Sequence, residues 1–330
     1  MIKNPKLVID VSHYENRLDV PLLKSAGVKA VIVKSGQGMH RDPMFVALGQ
    51  AVSDGGLALM AYYWDDILFD PVAQAHWAVE DIVATGLPVK YLWADQEQWW
   101  TDWEAWTKAC RQEIAWDDVP RATPTNISLH NKAFMTDLAG LFPHSGVYTS
   151  FGFVQSWAPP VNDWIRKYRL WVAHYGRQPA KAADFTWDEF KANWLPDYAP
   201  LVPTGAAKNE PVGHQFSGDV LRLSGVYDSL GKQAPLDVSI FTGSFISTLA
   251  RSRPPQKPPS GSTPSAPAND AQVYFVNVFA LNVRSRPSKD TGVVGTLRQN
   301  IQVKVTEMSG NWAHLETGGW AFAPFLTPVA

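Results

Sequence analysis

The sequence has little of what would assign its class at a glance. Its 330 residues hold a single cysteine, Cys110, so no disulfide can form within the chain. The surroundings of Cys110, a Trp- and charge-rich helical stretch, predict a buried inert thiol and not a catalytic one. No apolar run approaches the ~20 residues needed to cross a bilayer, so membrane insertion by a helix is not expected. The N-terminal residues run from Met1 directly into Leu7-Val8-Ile9, without the apolar stretch and small-residue cleavage site of a secretory signal. The formal net charge is −2, so no global field draws the protein to nucleic acid or to an anionic membrane. Gly-x-Ser-x-Gly is missing, which argues against a hydrolase of the nucleophile-elbow kind. Ser35-Gly36-Gln37-Gly38 is not followed by Gly-Lys-Ser/Thr, so it is not a phosphate cradle. The histidines are scattered, and Asp10 and His13 have no partners at metal-ligand spacing. Neither a metal nor another cofactor is expected.

What is abundant is tryptophan, 15 residues in all. Flat indole faces stack well on the C–H faces of sugar rings, although a Trp-rich core is the plainer reading. Trp100, Trp103 and Trp106 fall at helical spacing on one face. That spacing predicts a helix packed by its aromatic stripe, with a glycan-stacking wall as the alternative.

The sharpest break along the chain is the Pro/Ser-rich stretch 251–270, an extended spacer with nothing to bury. It separates a large part, 1–250, from a small one, 271–330. In the large part, short apolar β-rich runs recur at Leu7–Ser12, Ala30–Ser35, Leu57–Trp64, Tyr91–Glu97, Gly146–Ser150, Leu170–Tyr175, Val212–Ser217 and Leu236–Phe241. Several are continuously apolar, as in parallel strands covered on both faces. Helix-like segments lie between the first four, at Pro21–Ala26, Met44–Gly55 and Pro71–Thr85. Eight strands with helical crossovers predict an α/β protein, an irregular (β/α) TIM-like barrel. The small part has six closely spaced short strands and predicts a small all-β barrel.

Reactive groups of such barrels sit at the C-terminal strand ends. The first strand ends at Asp10, the third runs into Trp64-Asp65-Asp66, the fourth ends Asp95-Gln96-Glu97, and the last carries Asp237. Four strand ends thus offer carboxylates to one rim. Asp95 and Glu97 are two apart, which in a strand puts both side chains on one face. Neighbouring carboxylates resist ionising together, so one is pushed towards its protonated form. A proton donor beside a second carboxyl is what splitting a glycosidic bond requires.

The large part resembles the family 25 glycoside hydrolases, the Chalaropsis-type lysozymes. The resemblance rests on Asp10-Val11-Ser12-His13, Ala26-Gly27-Val28, Val31-Ile32-Val33-Lys34-Ser35-Gly36-Gln37-Gly38 and Asp95-Gln96-Glu97. It continues in order through Val147-Tyr148-Thr149-Ser150, Leu170-Trp171-Val172-Ala173-His174-Tyr175, His214-Gln215-Phe216-Ser217 and Leu236-Asp237. The resemblance implies that Glu97 is the general acid and later the base. Asp95 would orient the substrate's own 2-acetamido group, which attacks in place of an enzyme nucleophile. Asp10 and Asp237 would hold the site, Tyr148 would support the transition state, and Tyr63, Trp64, Trp171 and Gln215 would contact saccharide. Ala94 stands where the family has a larger apolar residue, and Tyr63-Trp64-Asp65 where it often has Tyr-His-Phe. The segment Gln98–Leu138 is long and unusually aromatic.

The small part resembles bacterial SH3-like domains through Leu281-Asn282-Val283-Arg284-Ser285-Arg286-Pro287-Ser288, Val294-Gly295-Thr296-Leu297, Gly310-Asn311-Trp312 and Gly319-Trp320. Most of these are turn and core positions, and the resemblance implies binding to cell-wall peptide or glycan. Together the two resemblances imply a muramidase acting on bacterial peptidoglycan at the cell wall, as a monomer, reaching it by endolysin-type release or non-classical export. The alternatives are a chitinase-like hydrolase and a non-catalytic wall-binding protein. The chitinase ladder Asp-x-x-Asp-x-Asp-x-Glu is missing, since Tyr91 and Trp93 occupy the preceding inward positions.

Overall fold

The computed structural model describes residues 1–176, 183–193, 195–206, 210–250, 272–276, 280–288, 291–298 and 301–328. The chain forms two compact units, Met1–Pro255 and Gln256–Ala330. The expected spacer 251–270 lies outside the described residues.

The large unit is a mixed α/β fold around a barrel-like sheet. Its main strands are β1 (Lys6–Val11), β2 (Val28–Gln37), β3 (Ala58–Trp64), β4 (Leu92–Asp95), β5 (Ser145–Ser150), β6 (Arg169–Ala173), β7 (Gly213–Tyr227) and β8 (Gln233–Phe241). They pair in chain order, and β1 pairs with both β2 and β8, so the ring closes. Strands β1 to β7 run parallel, and β8 is antiparallel to both neighbours. The reason lies in the connections. A parallel return needs a crossover of a dozen or more residues. Between β7 and β8 only a tight turn intervenes, in which Asp228 Oδ1 accepts from the backbone N–H of Leu230 and Lys232.

The helices begin where the sequence places capping side chains ahead of proline. The Asp19 side chain caps α1 (Val20–Ser25), Asp70 caps α3 (Pro71–Thr85), and Thr123 caps α5 (Pro124–Leu141), each with Pro in the first turn. Helix α3 stops at Gly86, whose φ of 71° is open to glycine at no steric cost. Of the remaining helices, α2 (Phe45–Asp54), α4 (Trp103–Cys110) and α6 (Phe151–Trp157) fall in crossovers of the first six strands. Helix α7 (Trp187–Asn193) precedes β7, and α8 (Gly243–Leu249) follows β8.

Strand alternation divides the core in two. Outward residues such as Val31, Leu59, Ala61, Tyr63 and Val147 pack against the helices, with Phe45, Leu48, Ile82 and Phe134 from the helical side. Inward residues Val8, Ala30, Ile32, Met60, Tyr91, Trp93, Tyr148 and Trp171 fill the ring, and Phe241 and Phe245 join them. This interior is aromatic: Trp93 lies 5.8 Å from Trp171 and from Phe241, and Tyr91 lies 5.0 Å from Phe245, ring to ring. A plug of this size leaves the inward polar positions one place to go, the C-terminal strand ends.

The small unit is all β. Its strands are β9 (Gln272–Val276), β10 (Ala280–Arg284), β11 (Val293–Arg298), β12 (Gln302–Ser309), β13 (Trp312–Leu315), β14 (Trp320–Phe322) and β15 (Leu326–Pro328), in the sheet order β11-β10-β14-β13-β12-β9-β15. The last strand is one that the sequence pattern did not suggest. The buried side chains are small and aliphatic, including Val283, Val305, Ala313, Leu315 and Ala321, with Phe325. Trp312 and Trp320, expected in this core, are only half-buried and pack on Phe322 and His314.

Gly146 shows how closely the plug fits. A Cβ there would stand 2.6 Å from the Trp93 ring and 2.7 Å from the Arg169 carbonyl oxygen. Gly146→Ala is expected to cost ~1–3 kcal/mol of stability by overpacking, read as a lowered midpoint in thermal or denaturant unfolding. An unchanged midpoint would mean that the plug yields.

Candidate active site

Ladder register brings the acidic residues together. Asp10 on β1 lies directly across from Asp237 on β8. Asp95 on β4 lies between Trp64 on β3 and Tyr148 on β5. Gln215 on β7 ties the two sides. Its Nε2 donates to Asp10 Oδ1 at 3.1 Å and to Asp237 Oδ2 at 3.4 Å, while its Oε1 accepts from the hydroxyls of Tyr148, at 2.7 Å, and Tyr175. Both donors and the carbonyl of this amide are therefore engaged. Asp237 Oδ1 also accepts from the backbone N–H of Asp219 at 3.0 Å. Asp219 adopts a φ of 53°, which turns that N–H towards the carboxylate at the irregularity where β7 slips against β8.

Burial and mutual repulsion set the protonation. Burial pushes the Glu97 carboxyl up to about 7, with the Lys34 cation pulling in the opposite direction. Asp95 is raised well above the ordinary carboxylate range, first by burial and then by Glu97, again opposed by Lys34. Asp10 is raised by burial and by Asp237, and Asp237 itself is pushed up to about 7 by burial and by Asp219. Glu15, in the loop after β1, is also raised to about 7 by burial, although its Oε2 accepts from the Ser12 N–H at 2.8 Å. Asp95 Oδ1 is buried and accepts from no described residue.

Lys34 is the cation of this cluster. It stands on the inward side of β2, two places beyond Ile32. Its Nζ donates to Gln37 Oε1 at 3.2 Å and lies 5.0 Å from the centre of the Trp64 ring. Burial lowers its pKa, while Asp95, Asp42 and Glu97 raise it. Trp64 in turn donates from Nε1 to Gln98 Oε1 at 3.0 Å, which fixes the chain immediately after Glu97.

Residues 9–195, more than half of the chain, match the glycosyl hydrolases family 25. The chain belongs to this family. The match includes Asp10, Lys34, Asp95, Glu97 and Tyr148, and it ends before β7 and β8, which carry Gln215 and Asp237. Residues 280–327 match the bacterial SH3 domain. No curated protein sequence matches the chain. Among solved structures, the catalytic domain of endolysin ply40 from bacteriophage P40 of Listeria monocytogenes is 17% identical, with a TM-score of 0.51 over 76% of this chain and 97% of that one. The bacterial lysozyme from Streptomyces coelicolor is 18% identical, with a TM-score of 0.52 over 74% and 96%. A muramidase from Trichobolus zukalii is 16% identical, with a TM-score of 0.52 over 75% and 98%. At these identities the likeness is one of fold.

Within the family 25 frame, the structure brings Asp10, Asp95, Asp237, Tyr148 and Gln215 to one mouth of the ring, with Glu97 just beyond the end of β4. It corrects several other expectations. Tyr63 does not contact the cleft: it is fully buried on the outer face of β3, stacked on Phe134. Its neighbour Tyr62 has the inward parity and packs with the inner cluster. Trp171 is also fully buried, beneath Tyr148 at 4.3 Å between rings, and its Nε1 donates to Ser239 Oγ. Gln215 is buried with its amide fully engaged, so it holds carboxylates and leaves no group for a sugar. The carboxylates after β3 do not join the rim. Asp65 lies 2.8 Å from His130 Nε2 and accepts from Gln96, while Asp66 accepts from Gln98 and from the Leu68 N–H. Both tie the loops down. Cys110, expected to be buried, is exposed. Trp100 precedes α4 and does not belong to it.

Residues that sequence reasoning passed over are Lys34, Tyr62, Tyr175, Glu15 and Asp219. Alternation would have found the first three. Inward Ala30 and Ile32 predict an inward Lys34, Ala58 and Met60 an inward Tyr62, and Trp171 and Ala173 an inward Tyr175. Glu15 and Asp219 lie in irregular backbone, where no period applies.

A raised carboxyl binds its proton more tightly in the folded chain than in the unfolded one. The stability linked to Glu97 is thus fully present below its ordinary pKa and is lost as pH rises through about 7. Glu97→Gln removes this loss. The thermal midpoint of Glu97→Gln minus that of the native protein is expected to grow from pH 4 to pH 8. A difference that is flat or shrinks with pH would show that Glu97 is not raised.

Proposed function

We propose that the protein is an endo-acting peptidoglycan hydrolase, an N-acetylmuramidase that cuts the β-1,4 bond between N-acetylmuramic acid and N-acetylglucosamine. The observation that carries this reading is Glu97, a half-buried carboxyl raised to about 7 beside the second buried carboxyl of Asp95. A group poised there holds a proton near neutral pH and can still release it. Family membership and the lysozyme, endolysin and muramidase names of the similar structures support the same reading.

In this reading Glu97 donates its proton to the glycosidic oxygen as the C1–O bond breaks. The 2-acetamido carbonyl oxygen of the substrate attacks C1 from the opposite face. Asp95 holds the acetamido N–H, for which its buried, unengaged Oδ1 is a suitable acceptor. Glu97, now a carboxylate, takes a proton from water as that water opens the oxazolinium ring at C1. Two inversions give net retention, without an enzyme nucleophile. Asp10 and Asp237, linked through Gln215, keep the local charge high, and Tyr148 lines the cleft. Lys34 balances the acid pair.

The closed strand ring supports an irregular (β/α) barrel for a catalytic domain at 1–250. A spacer at 251–270 would join it to a wall-binding SH3-like domain at 271–330, which matches bacterial SH3 domains over 280–327. The protein is read as a monomer that acts at the bacterial cell wall.

Purified peptidoglycan and chitin separate the readings. Native protein is expected to release muramic-acid reducing ends from peptidoglycan and none from chitin. Glu97→Gln is expected to lose at least ~10²-fold in rate, the usual worth of proton donation. Turnover by that variant at the native rate would remove Glu97 from the mechanism, and release from chitin alone would replace the muramidase reading.

A further inference from the structure

We infer that the lobe between Glu97 and α5 is an aromatic rail that binds the glycan strand beyond the sugars at the cleavage point. The inference rests on the muramidase reading and adds to it a second, non-catalytic binding surface. The lobe is built to be rigid. Trp100 bridges Arg121 in antiparallel fashion, Thr101 N–H donates to the Pro120 carbonyl, and Ala122 N–H donates to the Trp99 carbonyl. A small core of Trp100, Ala109 and Val119 closes it. Gln98 anchors its root, donating from Nε2 to Asp66 Oδ1 at 3.1 Å and to the Trp100 carbonyl at 3.2 Å.

Two indoles on this rigid base face solvent, Trp103 at 52% and Trp116 at 49% exposed. Each ends a series of aromatic contacts that leads back to the acid pair. Trp103 lies 5.3 Å from both Trp100 and Trp106, and this group packs against Trp64, which carries Lys34 over its ring. Trp116 lies 6.2 Å from Trp99, two residues after Glu97, and Trp99 stacks on Trp157 at 4.5 Å. The Arg121 guanidinium lies over Trp99 and Trp157, and it also donates to the Trp116 carbonyl. Aromatic packing therefore runs from Trp64 and Trp99, beside the acid pair, to both exposed rings.

That continuity and the polar groups beside the rings select the occupant. Exposed Asp102 and Glu104 flank Trp103 in sequence, and exposed Asp117 and Asp118 follow Trp116. Carboxylates accept hydrogen bonds from sugar hydroxyls and acetamido N–H groups, while indole faces stack on sugar C–H faces. A glycan strand running out of the cleft offers both partners. Fixed rings also lose little freedom on binding, so the stacking is not offset by ordering.

The test uses the full chain with Glu97→Gln, titrated calorimetrically with peptide-free peptidoglycan glycan strands of graded length. Peptide-free strands remove any contribution from wall peptide. Affinity is expected to rise with length beyond a tetrasaccharide. Adding Trp103→Ala and Trp116→Ala should weaken binding of long strands about tenfold, or ~1.4 kcal/mol, and collapse the length dependence. Trp103→Phe with Trp116→Phe, which keeps an aromatic face and a folded lobe, should restore part of it. Length-independent affinity in the Glu97→Gln chain would overturn the rail. So would long-strand affinity unchanged by the Ala pair, or a loss that the Phe pair shares in full. Absence of binding at every length would overturn the rail together with the muramidase reading. Length-independent binding, with muramic ends still released by the native protein, would overturn the rail alone.

Discussion

Carboxyl groups crowded against one another on top of an apolar plug are the constraint from which the rest of the molecule follows. Trp93, Trp171 and Phe241 fill the ring from below and exclude water there. Asp10, Asp95 and Asp237 therefore sit at the boundary of a dry interior, where ionising one makes ionising the next costly. The structure manages that cost in two ways. Gln215 spends both of its donors on Asp10 and Asp237, and Lys34 places one cation beside Asp95 and Glu97. Glu97, one step out from the strand end, is the group left with a proton that it can give up near neutrality.

The same frame explains the closure of the ring. The β7–β8 hairpin brings Gln215 and Asp237 to the mouth from a tight turn, without a helical crossover. Its irregular register frees the Asp219 N–H for Asp237. A regular ladder would have used that N–H within the sheet. The acid side of the cleft is thus held by regular parallel strands, and the opposite side by a bent hairpin.

Much of this was legible in the sequence. Eight apolar runs mark the eight ring strands because each is buried on both faces, and the helix-like segments at Pro21–Ala26, Met44–Gly55 and Pro71–Thr85 correspond to α1, α2 and α3. The pair Asp95 and Glu97 stands out by its composition at the end of an apolar run, although the strand stops at Asp95 and Glu97 lies in the backbone just past it, where strand parity no longer applies. The site was less legible where parity was not carried through. Tyr63 and Trp171 are aromatic residues near strand ends, yet Tyr63 has the outward parity and Trp171 lies one layer too deep. Asp65 and Asp66 share the composition of a catalytic rim but are drawn away by Gln96, Gln98 and His130, contacts that come from 31 to 65 residues along the chain. Trp100 fits a helical stripe in spacing but sits in the bridge before α4. No local pattern encodes such long-range partners.

The account turns on the proton of Glu97, and that proton can be followed directly. In protein carrying ¹³C-labelled glutamate, the resonance absent from Glu97→Gln belongs to this carboxyl, and its shift can be titrated by NMR. The account predicts a midpoint near 7. A midpoint at the unperturbed value of about 4.3 would contradict it, since a carboxyl already ionised at neutral pH has no proton to hand to a glycosidic oxygen.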